Sequence, residues 1–323
     1  MIDALADPAT ANRAEVLRVN DLSVHFPVRQ GLKARMLKAV DGISMYLRAG
    51  ECLGLVGESG CGKSTLAQTI MGILTPSSGQ VIMPELGSGA QKLARARAIQ
   101  MVFQDPYSSL NPRMTLRQIL GQPLRLHGLC APQEVEARIA SLLARVGIDP
   151  AAMHRYPHAF SGGQRQRLCI ARALVVEPRI LVCDEPVSAL DVSIRAQIIN
   201  LLLDLKNELG VALLMISHDL GVIEHMSDRI AVMYLGRFVE TGPWDQVLSR
   251  PGHPYTRALL ASMPGSGQKG RLRLTGEAPS ALAAPSGCAF HPRCQMAVDQ
   301  CRTGGGPEFT EMGNTHSVRC HLA

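Results

Sequence analysis

Gly57-Glu58-Ser59-Gly60-Cys61-Gly62-Lys63-Ser64, continued by Thr65, decides how this chain is read. The stretch fits G-x-x-x-x-G-K-[ST]. Before it stands ECLGLVG (51–57), a short apolar run of strand character. After it comes STLAQTIMGIL (64–74), with helical spacing. The glycines allow backbone N–H groups to turn inward around phosphates. Lys63 supplies a point charge for the β/γ oxygens, and the Ser64 hydroxyl suits Mg²⁺. The following helix aims its positive N-terminus at the same anion. A Gly-rich turn with an exposed lysine is the bland reading, and the strand-before, helix-after context speaks against it.

Working outward, RILVCDEP (179–186) offers a second half for such a site: an apolar strand ending in Asp184, placed to hold Mg²⁺ through water, and then Glu185. VALLMISHD (211–219) is another apolar run of strand length. VSIRAQIINLLLDLKNELG (192–210) lies between the two and reads as a helix ending at Gly210. VEARIASLLARV (135–146) is an amphipathic helix. LRVNDLSVHFPV (17–28) and KAVDGISMYLRAG (38–50) read as strands. Strands alternating with helices predict an α/β fold around a largely parallel sheet, with loops gathered at the strand C-termini. Residues 1–15 read as a loose tail. After Pro251 the texture turns rich in Gly, Pro and Ser (GSGQKG, PSALAAPSG), which predicts a domain boundary near 250.

Composition narrows the function classes. The chain has 323 residues, 46% hydrophobic and 19% charged, which excludes a mostly disordered protein. Its 33 basic and 27 acidic residues leave a net charge of +6, too mild and too spread for a dedicated nucleic-acid binder. No run approaches the roughly 18 apolar residues of a membrane span. MIDALADPATANRAE lacks the apolar core of a signal peptide, so a cytosolic location is expected.

Five motifs then stand in order and resemble one family, the ABC-type ATPases. Ser161-Gly162-Gly163-Gln164, inside FSGGQRQRLCIARAL, resembles the signature. Gln104 in VFQDP resembles the Q-loop. Ser188-Ala189-Leu190-Asp191 resembles the D-loop, and His218 in ISHD the switch histidine; the fifth is the phosphate loop itself. The longer phrases MVFQDPYSSLNPRMT, RYPHAFSGGQRQR, CDEPVSALDVS, MYLGRFVETG, HPYTRALL and GCAFHPRC resemble the oligopeptide/dipeptide importer branch. The segment from Phe26 to Ala39 and QDPYSSLNPR tilt towards its F-type subunit. One departure is visible: QVIMPELGSGAQKLARARAI (80–99) lacks the usual strand-Gly-strand phrase, which bears on the small antiparallel sheet.

The resemblance implies a P-loop NTPase (RecA-like) core over 16–250, with an antiparallel β subdomain and an α-helical signature subdomain at about 105–173, and a C-terminal extension over 251–323. It implies ATP and Mg²⁺. Gly57, Ser59, Gly60, Cys61, Gly62, Lys63, Ser64, Thr65 and Asp184 would hold the nucleotide, with Phe26 stacked on adenine; a core phenylalanine is the alternative for Phe26. Mg²⁺ would be held through Ser64, Gln104 and Asp184. Glu185 would be general base, Gln104 would touch the attacking water, and His218 the γ-phosphate; a hydrogen-bonded loop histidine is the alternative for His218. Ser161 to Gln164 and Asp191 would serve the ATP of a partner subunit. The partners implied are a second ATP-binding subunit (D-type, or a second copy), two permease subunits and an extracytoplasmic solute-binding protein, with no nucleic acid. The location implied is the cytoplasmic face of the inner membrane. Uptake of nickel or another small solute by the same machine, or a soluble ABC ATPase, are the alternatives. No long heptad insert or second nucleotide domain supports the last.

Nine cysteines are present, and four, Cys288, Cys294, Cys301 and Cys320, crowd the last stretch with spacing C-x5-C-x6-C-x18-C. A cytosolic chain seldom forms structural disulfides, so the cluster reads as a metal or iron–sulfur site. The spacing matches neither a zinc knuckle nor a ferredoxin. The resemblance to the importer extension implies a 4Fe–4S cluster on these four residues, with zinc or free thiols as alternatives.

Overall fold

In the computed structural model, residues 13–30, 33–87, 92–262, 276, 279–313 and 315–323 are described. The expected loose tail and GSGQKG fall almost wholly outside them. Along the chain the strands are β1 (Glu15–Gln30), β2 (Lys33–Arg48), β3 (Cys52–Val56), β4 (Ser78–Ile82), β5 (Ile99–Val102), β6 (Ile180–Asp184), β7 (Ala212–Ile216), β8 (Arg229–Tyr234), β9 (Arg237–Pro243), β10 (Thr310–Gly313) and β11 (His316–Val318). The chain divides into two compact units. One holds the residues up to Pro84 together with Ile216–Ala323; the other is Glu85–Met215.

In the first unit β1 pairs antiparallel with β2 on one side and β4 on the other. Leu17 and Val19 face inward, and so do Leu22 and Val24, all at most 2% exposed. The inward face changes parity where the pairing register shifts between Val19 and Leu22, and Asp21 takes φ 44° there. A bulge of this kind re-aims the strand without losing its buried face. β4 occupies the first part of the segment lacking the usual phrase; a Pro84–Leu86 turn follows it.

A second sheet of this unit runs β10-β11-β9-β8-β3. β3 and β8 are parallel, and the remaining pairs are antiparallel. Every residue of β3 and β8 is buried, as continuous apolar strands covered on both faces should be. β3 feeds the helix Lys63–Met71, which Gly72 ends in a left-handed cap.

In the second unit β7, β6 and β5 lie side by side, with β6 parallel to β5. Residues 105–173 carry helices Pro106–Ser109, Leu116–Leu126, Val135–Arg145 and Gly162–Leu174. The helix Val192–Leu209 begins at an Asp191 cap and stops at Gly210 with φ 63°. Among the described residues no helix is long and apolar enough to cross a membrane.

Candidate functional site

The phosphate loop turns as its glycines require. Gly57 has φ 154°, and a Cβ there would lie 2.3 Å from the Met233 carbonyl oxygen. Gly62 has φ 110°, and its Cβ would lie 2.1 Å from the Ala39 oxygen. No other residue fits either position. The backbone is thereby held as a tight cradle between β3 and the helix that Lys63 begins. Lys63 is buried, and its ammonium donates to the carbonyls of Gly57 (2.8 Å) and Glu58 (2.9 Å). Ser59, Gly60 and Ser64 are exposed, and Thr65 is half-buried. Cys61 is buried with Sγ 3.7 Å from Lys63 Nζ; burial pushes its thiol up against the pull of that ammonium.

Glu58 is held from all sides by residues far along the chain. Its N–H donates to the Tyr255 hydroxyl at 2.8 Å. Its carboxylate takes both Nη atoms of Arg293, at 2.7 and 2.9 Å. Arg293 is 6% exposed. Beside it Tyr234, Tyr255 and Phe290 pack ring on ring, with centroids 4.6 to 5.4 Å apart. His253 joins this group. Burial holds its ring down at about 4, and its Nδ1 accepts from the Tyr255 N–H. Neither Tyr255 nor Arg293 was assigned a site role from sequence. Both sit in phrases that marked the branch, HPYTRALL and HPRC, which was the only available signal.

Two further expected residues lie in the same unit. Phe26 is half-buried in β1 opposite Leu37. His218 is exposed just after β7, before the helix Leu220–Met226 that Asp219 caps.

The second unit brings Gln104 and Glu185 together: Gln104 Nε2 donates to Glu185 Oε2 at 3.0 Å. Glu185 directly follows Asp184 at the end of β6 and has φ 49°, a left-handed conformation unusual for a glutamate. Strain of this kind concentrates where geometry serves chemistry. The Ser188 hydroxyl donates to the Glu185 carbonyl at 3.1 Å. Asp105, next to Gln104, caps the helix Pro106–Ser109.

Ser161 and Gln164 form a reciprocal cap at the start of the helix Gly162–Leu174. Ser161 Oγ accepts from the Gln164 N–H, and Gln164 Oε1 from the Ser161 N–H. A Cβ on Gly163 would lie 2.5 Å from Ile194 Cγ2. Ile194 belongs to the helix that Asp191 caps, its N–H donating to Asp191 Oδ1 at 2.9 Å. The start of the helix Gly162–Leu174 therefore packs against the first turn of the helix Val192–Leu209. Hydrogen bonds from Ile194 and Ser193 hold the Asp191 carboxyl below its usual range.

The iron–sulfur and zinc expectations for Cys288, Cys294, Cys301 and Cys320 are corrected. Among the described residues no three His, Cys, Asp or Glu side chains are grouped so that they could hold a metal ion. Cys288, Cys301 and Cys320 are buried free cysteines that pack as small apolar groups. Burial pushes the thiols of Cys288, Cys294 and Cys320 up. The segment is held instead by the backbone bond from Cys288 to Cys301 and by Phe290 in the aromatic group.

The ABC transporter family model matches residues 40–188, and the model of the oligopeptide/dipeptide transporter C-terminal region matches residues 239–301. The chain is 47% identical to the oligopeptide transport ATP-binding protein AppF of Bacillus subtilis, over 97% of this chain and 98% of the relative. It is 48% identical to OppF of Escherichia coli, the oligopeptide transport ATP-binding protein, over 96% and 97%. It is 47% identical to DppF of the same organism, the dipeptide transport ATP-binding protein, over 92% of each. Among solved structures it resembles cbiO1 of Clostridium perfringens, part of the ABC transporter complex cbiONQ. The TM-score is 0.63 at 30% identity, over 73% of this chain and 91% of that one. A dimeric ATP-binding cassette in a post-hydrolysis state with ADP and Pi matches with TM-score 0.61 at 26% identity, over 71% of this chain and 98% of that one.

Proposed function

This chain belongs to the ABC transporter family, in its oligopeptide/dipeptide branch, and from that premise we propose that it is the ATP-hydrolysing subunit of a peptide importer. The observation that carries the reading is the glycine cradle around a buried Lys63, at the end of a fully buried strand.

The residues fit a nucleotide and its metal. The space a Cβ would fill at Gly57 and Gly62 is closed by backbone, so the loop keeps its curvature. Lys63, held by two loop carbonyls, meets the phosphates as a fixed positive charge. Ser64, Asp184 and Gln104 offer oxygen donors of the hard kind that Mg²⁺ takes. Ser64, Asp184 and Gln104 would hold Mg²⁺, which would supply neutralisation of the phosphate charge there. Phe26 stacks on the adenine. Glu185 accepts the proton of the attacking water, and Gln104 orients the Glu185 carboxylate and that water. His218 contacts the γ-phosphate. Such chemistry needs mainly positioning and charge stabilisation.

Ser161 to Gln164 and Asp191 act on the nucleotide of a second ATP-binding subunit. We take that subunit to be the D-type partner, in a head-to-tail pair. ATP bound across such a pair favours the closed state by its differential affinity, and this shifts two permease subunits supplied with peptide by a solute-binding protein. The subunit sits peripherally on the membrane through the permeases. Residues 16–250 form the nucleotide-binding domain and 251–323 the branch-specific extension.

Reconstitution with the permeases and the second ATPase tests this. The isolated chain should bind MgATP and hydrolyse it slowly, the assembled transporter should hydrolyse it faster with peptide uptake, and Lys63→Ala should lose MgATP binding. Full hydrolysis by a chain that stays monomeric in ATP refutes the trans role. Unaltered binding by Lys63→Ala refutes the site.

A further inference from the structure

Glu58 is the first variable residue of the phosphate loop, and each of its polar groups is engaged. Its carbonyl oxygen receives Lys63 Nζ and the Cys61 N–H, its own N–H goes to Tyr255 Oη, and its carboxylate is clasped by Arg293. Two of these partners lie beyond residue 250, in a region with no part in the nucleotide chemistry described so far. Their placement is firm. Tyr255 is fully buried and Arg293 nearly so, and the ring packing of Tyr234, Tyr255 and Phe290 locks both.

Two physical consequences follow for a loop that binds a polyanion. A free carboxylate five positions before Lys63 would repel the phosphates, and the Arg293 guanidinium cancels that charge through a paired fork. The Tyr255 hydroxyl fixes the Glu58 peptide plane, so the loop keeps one curvature before nucleotide arrives, and less conformational freedom is lost on binding.

We propose that Arg293 and Tyr255 are positioning residues for MgATP, acting through Glu58, so that the C-terminal region sets the nucleotide affinity of the phosphate loop. This rests on the reading of the loop as the ATP site.

The test uses the full chain carrying Glu185→Gln, which prevents turnover, titrated with MgATP by calorimetry, with the unfolding temperature measured in parallel. Arg293→Met should weaken MgATP about tenfold, the scale of one charge-assisted pair. Adding Glu58→Gln, which removes the charge that Arg293 neutralises, should bring the Kd back to within about threefold. Tyr255→Phe removes one oxygen and keeps the ring packing; it should weaken MgATP about threefold, the loss of one neutral hydrogen bond. A lowered unfolding temperature with unchanged Kd in Arg293→Met marks a merely structural role and overturns the proposal. Should Arg293→Met not fold, Tyr255→Phe decides alone, and an unchanged Kd there overturns it. Lys63→Ala separates the two readings. If it binds like the parent, the ATP-site reading fails; if it loses binding while Arg293→Met and Tyr255→Phe do not, only the present proposal fails.

Discussion

Glu185→Gln exchanges one carboxylate oxygen for an amide nitrogen and changes little else. Gln104 Nε2 sits 3.0 Å from Glu185 Oε2, and a glutamine at 185 can still present a carbonyl oxygen there. The backbone stays at φ 49°, strained alike for either residue. Two losses remain. The hydrogen bond falls from charge-assisted to neutral, about 1 kcal/mol or roughly a fivefold effect through positioning. The base itself is gone, which costs about 10²–10⁴ in rate, or about 3–5 kcal/mol of barrier. Hydrolysis should therefore drop by at least about a hundredfold while MgATP binding persists. Gln104→Ala is the companion: it keeps the carboxylate, removes the hydrogen bond together with the Gln104 contacts to Mg²⁺ and water, and should lose about tenfold or somewhat more. Phosphate release in a single turnover of the assembled transporter, with MgATP binding measured separately, gives both numbers. If Glu185→Gln falls no further than Gln104→Ala, the carboxylate only positions its neighbour and the base assignment is wrong.

Burial holds the His253 ring at about 4, while the unfolded ring titrates at about 6.5. The unfolded chain therefore binds an extra proton below about pH 6.5, and stability should be flat above that value and decline as pH falls towards 4. The decline is on the order of 3 kcal/mol, and urea midpoints across pH should flatten in this window for His253→Gln; an unchanged slope refutes the assignment. Glu51, fully buried, accepts from Arg229 Nη1 at 2.6 Å and from the Arg48 N–H at 2.7 Å. Glu51→Ala strands a buried guanidinium and should cost about 3–5 kcal/mol in urea unfolding, with much of it recovered when Arg229→Met is added.

Features written in neighbouring residues were legible. The glycines of the phosphate loop, the apolar runs of β3, β6 and β7, and Gly210 as a helix stop are each settled within a few positions. What depends on a distant partner was not. β4 is SGQVI, half-exposed to exposed, and owes its strand character to pairing with β1. The Arg293–Glu58 pair joins residues 235 positions apart, and neither side chain marks the other. The terminal cysteines misled for a related reason. Spacing counts possible ligands but not whether they assemble, and among the described residues no group that could hold a metal ion forms. Glu185 and Gln104 were each expected to act on one water, but their direct hydrogen bond needed coordinates.

The close approach of Gly163 and Ile194 couples the starts of two helices, Gly162–Leu174 and Val192–Leu209, that lie far apart in sequence. Ile194 is branched at Cβ and cannot swing its Cγ2 aside cheaply, so the front of the signature helix has no play against the helix that Asp191 begins. A displacement of either helix start is handed to the other. The two positions should also evolve in step, because any residue larger than glycine at 163 demands a slimmer one at 194.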